Sequence, residues 1–142
     1  MRRYLVVANQ TLGGPRLAGT IRARLAAGPC RFHIVVPATP REEHVVWTEG
    51  EAHDLARARL DHALERFRTL GAKADGEVGD GRPLEAIRDA LREGEYDEVI
   101  LSTLPPGLSK WLKLDLPTRV AKAFGVPVTH VVAEAEPGTR TA

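Results

Sequence analysis

Three short apolar runs constrain this chain more than anything else in it: Tyr4-Leu5-Val6-Val7-Ala8, Phe32-His33-Ile34-Val35-Val36 and Glu98-Val99-Ile100-Leu101. Each is short for a helix and lacks the strict alternation of a strand with one wet face, so each reads as a strand buried on both faces. Such strands belong to parallel sheets, whose crossover helices cover both sides.

The intervening segments supply those helices. Leu17, Ile21 and Leu25 recur at fourfold spacing until Gly28-Pro29 stops them. Between Glu51 and Leu70, Ala52, Leu55, Ala56, Leu60, Ala63, Leu64 and Phe67 mark one helical face, and Gly71 stands at the C′ position. A third helix starts at Pro83 with Leu84, Ile87 and Leu91 inward and closes at Gly94; a fourth runs from Leu116 to Phe124. Lys73 to Val78 alternates weakly, as a short edge strand would, and Pro127 to Val132 is a last strand. Arg41 to Gly50 has no clear period, and with Trp47 beside Val45 and Val46 it reads as a long loop over the sheet's edge or top. Glu134 to Ala142 is polar and reads as a frayed tail. The expectation is one α/β domain over residues 1–142: a five-stranded, parallel, open sheet with four helices on its two faces and right-handed crossovers. The pattern alone leaves the strand order open.

Composition narrows the function classes. Twenty basic residues against 19 acidic ones give a net charge of +1, so the overall balance points to neither nucleic acid nor an anionic membrane. No apolar run approaches the ~20 residues that span a bilayer, and Met1-Arg2-Arg3 leads into only a few apolar residues before Asn9, unlike a secretory leader. The single cysteine, Cys30, forms no internal disulfide and is expected to be a small buried hydrophobe in a reducing, cytoplasmic setting.

The candidate site is the loop that follows the Glu98–Leu101 strand, because ligands of open α/β sheets bind at strand-to-helix loops. It carries Ser102, Thr103, Gly107 and Ser109, and Asp115 with Pro117 two residues later is a suitable N-cap for the next helix. The first loop adds Asn9, Thr11, Gly13 and Gly14. Gly13-Gly14 could form an anion-binding nest or simply the turn a βα junction needs. The hydroxyls could hold a small polar ligand or satisfy loop backbone. Lys110, Lys113 and Arg119 could neutralise an anion, although a solvated helix face explains them as well. His33 and His130 lack a second ligand at metal spacing and read as satisfied sheet histidines; His53 and His62 fall on a polar helix face, and Trp111 reads as a loop anchor. No nucleophile elbow, phosphate loop, zinc-protease motif or paired Cys-x2-Cys occurs, so no catalytic or metal residue is named. An enzyme assembled from loop residues distant in sequence would leave no such motif.

Ser102 to Val120 and the last strand resemble the universal stress protein family. Gly79-Asp80 before Pro83, Gly107-Leu108-Ser109-Lys110 in mid-loop and Pro127-Val128 at the final strand carry the likeness. The resemblance implies the sheet order 3-2-1-4-5 and a nucleotide cleft between the first and fourth strands. It makes ATP or AMP the ligand to consider. The family's ATP binders carry Gly-x2-Gly-x9-Gly-Ser/Thr, whose positions here hold Leu101, Leu104, Leu114 and Asp115. All four are lost, and a carboxylate capping the helix at Asp115 would repel phosphate from the same amides. Asn9 and Thr11 stand where the family has Asp and Ser. The implied function is a non-catalytic binding or regulatory module with a degraded ATP site; the alternative is a nucleotide- or small-molecule-dependent enzyme with its site between the first and fourth strand-to-helix loops. The final strand would be an exposed edge, implying a homodimer through Val128, Thr129, His130, Val131 and Val132, with Trp111 or Pro105-Pro106 near its rim. A proline at Thr129 or Val131 is then expected to weaken the dimer and spare the monomer.

Overall fold

Ten elements follow one another in a computed structural model that describes residues 1–39 and 49–134. They are β1 (Arg2–Val7), α1 (Pro15–Ala27), β2 (Cys30–Pro37), α2 (Glu49–Thr69), β3 (Ala74–Gly79), α3 (Pro83–Glu93), β4 (Glu98–Thr103), α4 (Lys110–Lys113), α5 (Leu116–Phe124) and β5 (Val128–Val132). The strands form one sheet of order β3-β2-β1-β4-β5, every neighbouring pair parallel. The expected long loop from Arg41 and Trp47 lies outside the described residues, except that Glu49 and Gly50 already belong to α2. The expected frayed tail beyond Glu134 also lies outside them.

The period of two divides the buried runs between two cores. Tyr4, Val6, Phe32, Ile34 and Ile100 face α1 and α2, where Leu17, Ile21, Leu60 and Phe67 meet them. Phe32 is stacked on Tyr4 at 5.4 Å between ring centroids and takes Phe67 edge-on at 5.8 Å. Leu5, Val7, Val35, Val99 and Leu101 face α3, α4 and α5, packing on Ile87, Trp111, Leu116 and Val120. Trp111 is buried, so it anchors the loop on the core and is no rim element of the proposed dimer.

Helix ends follow local chemistry. α2 closes in a Schellman motif: the Ala72 N–H donates to the Phe67 carbonyl (3.0 Å), the Gly71 N–H to that of Arg68 (2.9 Å), and Gly71 has φ 95°. Cys30 is buried, as expected. At the amino ends of β4 and β5, Arg24 of α1 makes two bonds to the Glu98 carboxylate (3.2 and 2.7 Å), and the Thr129 hydroxyl also donates to it. Burial alone would raise the Glu98 pKa; the bonds from Arg24 and Thr129 prevail and hold it below the usual carboxylate value. That cluster pins the edge strand to both β4 and α1.

Candidate functional site

The order of strands reverses between β1 and β4, and the loops leaving their carboxyl ends meet there. Thr11 Oγ1 and Ser102 Oγ lie 2.6 Å apart, both buried, and join the first loop directly to β4. Thr103, also buried, donates its one proton to the Leu104 carbonyl (2.9 Å) and faces His130 Nε2 at 2.8 Å. It therefore accepts from the Nε2–H tautomer of that imidazole. Burial lowers the His130 pKa, in keeping with a neutral ring. Ser109 is buried and caps α4, its Oγ accepting from the Leu112 N–H at 3.1 Å. The hydroxyls that the sequence places in the fourth loop are thus all engaged: Ser102 and Thr103, which belong to the end of β4, meet Thr11 and His130, and Ser109 meets backbone.

Gly107 has φ 92° at the third position of the Pro105–Leu108 turn, which the Leu108 N–H closes on the Pro105 carbonyl at 3.0 Å. Pro106 before it presets the turn, and an L side chain at Gly107 would be strained. Gly13 and Gly14 have no positive φ, so the pair makes no left-handed nest; Gly14 is the extended N-cap residue of α1.

Asp115 departs from expectation. It occupies the N-cap position of α5 in the left-handed region (φ 56°, ψ 41°), and its carboxylate makes no capping bond. Only a single residue separates the C-cap of α4 from α5, and the chain turns there through backbone bonds: Asp115 N–H to the Leu112 carbonyl and Arg119 N–H to the Asp115 carbonyl. A side-chain cap needs an extended residue at that point. Of the positions that carry glycine in the family's motif, Leu101 is fully buried in β4 and Leu114 is 51% exposed. Lys110, Lys113 and Arg119 are exposed.

Asn9 turns away from this cleft. Its Nδ2 donates to the Pro37 carbonyl (2.8 Å), which leaves Oδ1 to accept from Arg59 of α2. Here a cavity of about 210 Å³ lies between the first loop and α2, lined by Asn9, Gln10, Leu12, Gly13, Ala58, Arg59, His62, Ala63 and Arg66. Sequence reasoning passed over Arg59 and Arg66; the signal was their spacing with His62 on one helical face. A second, open groove of about 460 Å³ runs between α1 and β5, past Arg16, Thr20, Arg24, Thr129, His130 and Val132. Among the described residues no group of His, Cys, Asp or Glu is placed to hold a metal ion. No helix among them is long and apolar enough to cross a membrane.

A parallel sheet whose order reverses between β1 and β4, with loops gathered at that point, defines an open, doubly wound, Rossmann-like α/β fold. Solved structures that it resembles include universal stress proteins. One, in complex with cAMP, is 20% identical with a TM-score of 0.63, over 94% of this chain and 98% of that one. A second, from Archaeoglobus fulgidus in complex with dAMP, is 16% identical with a TM-score of 0.61, over 92% and 98%. A third, from Arabidopsis thaliana with AMP bound, is 13% identical with a TM-score of 0.60, over 95% and 94%. The chain therefore has the universal stress protein fold, and the order 3-2-1-4-5 implied by the sequence resemblance is the observed one. No protein-family model matches the sequence, and no curated protein does.

Proposed function

We propose that this chain is a non-catalytic binding and regulatory module on the universal stress protein fold, cytoplasmic and homodimeric, in which tight ATP binding has been lost. The observation that carries this reading is the bond Thr11–Ser102, which ties the first loop to β4 across the β1–β4 cleft, while Thr103 beside it is engaged by His130 of β5. Leucines at 101, 104 and 114 support it, since bare backbone is what lets phosphates approach closely. A ligand entering this cleft lies at the carboxyl ends of β1 and β4, against Thr11, Ser102 or Thr103, and has to replace the bonds these groups now make; Asn9, engaged by Pro37 and Arg59, is not among its contacts. The complexes of similar structures with AMP, dAMP and cAMP favour a nucleoside monophosphate over ATP as that ligand. Calorimetry with ATP and magnesium tests the reading: the expected result is no saturable heat at micromolar concentrations. A micromolar dissociation constant for ATP overturns it.

A further inference from the structure

We infer that the cavity between the β1–α1 loop and α2 binds a small organic anion, a phosphate ester or carboxylate with a compact apolar body. Arg59, His62 and Arg66 stand at i, i+3 and i+7 of α2, on the one helical face that meets the loop. No acidic residue lines the cavity. Three arginines of α2 have partners: Arg57 pairs with Asp61 at 3.7 Å, Arg59 donates to Asn9 Oδ1, and Arg68 donates to the Ala74 carbonyl at 3.1 Å. Among the described residues the side chains of His62 and Arg66 have none, and both are exposed.

The rest of the lining complements these cations. Leu12 and Ala63 are buried and with Ala58 give the cavity an apolar wall. Because Asn9 is oriented by the Pro37 carbonyl, its Oδ1 holds Arg59 beside the loop, which preorganises one guanidinium. Guanidinium forks match the paired oxygens of phosphates and carboxylates. About 210 Å³ lies below the range of ~300–1,000 Å³ usual for drug-sized ligands. The ligand is correspondingly small, with its charge toward the arginines and its body against Leu12 and Ala63. This site faces α2, whereas the cleft of the proposed function lies toward β4, so either can fail without the other.

Amide NMR titrations with phenyl phosphate, benzoate, inorganic phosphate and phenol test the inference. The two aryl anions are expected to bind at millimolar concentration and to move the signals of Leu12, Gly13, Ala58 and Ala63. Inorganic phosphate and phenol, each lacking half of the recognised chemistry, should bind about tenfold more weakly or worse. Arg66→Gln alters an exposed side chain and leaves the fold intact; it should weaken phenyl phosphate about threefold or more, and with Arg59→Gln about tenfold or more. Unmoved α2 signals, undiminished binding by the double variant, or inorganic phosphate binding as tightly as phenyl phosphate would each overturn the inference. A parallel titration with AMP reads the Ser102 and Thr103 signals and so reports separately on the β1–β4 cleft.

Discussion

His33 lies between two carboxylates, Nδ1 at 2.8 Å from Asp75 Oδ1 and Nε2 at 2.9 Å from Glu77 Oε2. A neutral imidazole has one N–H, so the second contact would set lone pair against lone pair; the geometry calls for imidazolium. Burial pulls the His33 pKa down, but the bonds to Glu77 and Asp75 outweigh it and the net shift is upward from 6.5. Tyr96 flanks the ring at 6.2 Å between centroids, and the Arg3 guanidinium lies 4.9 Å from the Tyr96 centroid. A pKa raised in the folded state adds stability that is complete below the unfolded value and is lost as pH rises through the folded one. Unfolding by urea should therefore show the wild type losing about 1 kcal/mol more than His33→Gln between pH 6 and pH 9, a modest figure because both carboxylates are solvent-exposed. Equal losses in the two proteins would refute a charged His33. Its role as a satisfied sheet histidine was legible in the sequence, but its partners, more than 40 positions away, were not. Thr11 and Ser102 illustrate the same limit: the hydroxyls were visible, and their mutual bond across 91 positions was not.

Among elements, the buried strands β1, β2 and β4 were plain in the sequence because three apolar runs leave no other reading. β3 was faint for a physical reason. A Cβ at Gly76 would stand 2.6 Å from both the Ile34 carbonyl oxygen and Leu60 Cδ1, where α2 presses on the sheet. One at Gly79 would stand 2.9 Å from Ala86 Cβ of α3, on the opposite face. The residues that would have completed the alternation are absent so that two helices can approach. Gly76→Ala should accordingly cost about 2 kcal/mol as overpacking, because backbone and Leu60 both have to move. Gly13→Ala, with nothing within 4 Å and an ordinary φ, serves as the control and should stay within about 0.5 kcal/mol. Equal unfolding midpoints for the two variants would contradict this account of β3. α4 leaves no mark in the sequence because four residues carry no period, and Asp115 misleads because residue type favours a side-chain N-cap that the left-handed backbone at that turn excludes.

At the scale of the whole molecule, the proposed dimer depends on which groups β5 presents outward. The Val99 N–H donates to the Pro127 carbonyl and the Ala133 N–H to that of Thr103, so the odd-numbered residues of β5 direct their backbone groups to β4. Those of Val128, His130 and Val132 face outward by alternation, and Arg16 Nη1 already donates to the Val132 carbonyl at 3.3 Å from that side. The expectation drawn from sequence, that proline at Thr129 or Val131 would spare the monomer, is therefore corrected. Either change removes a bond to β4; Thr129 also donates to Glu98, and Val131 is buried in the α1–α2 core. Proline belongs instead at an outward position, where its missing N–H faces solvent in the monomer. In an antiparallel pair of β5 strands about a two-fold axis near His130, the same N–H is lost from both copies. His130→Pro should weaken association about tenfold or more while far-UV circular dichroism stays native. Val132→Pro repeats the test without touching the Thr103 contact. Val131→Pro should lose the fold, and Arg16→Ala, which frees the Val132 carbonyl, should tighten the dimer slightly. Light scattering reads all four against the wild type: a wild-type monomer at high micromolar concentration, or a dimer that survives both outward prolines, rules out assembly through this edge.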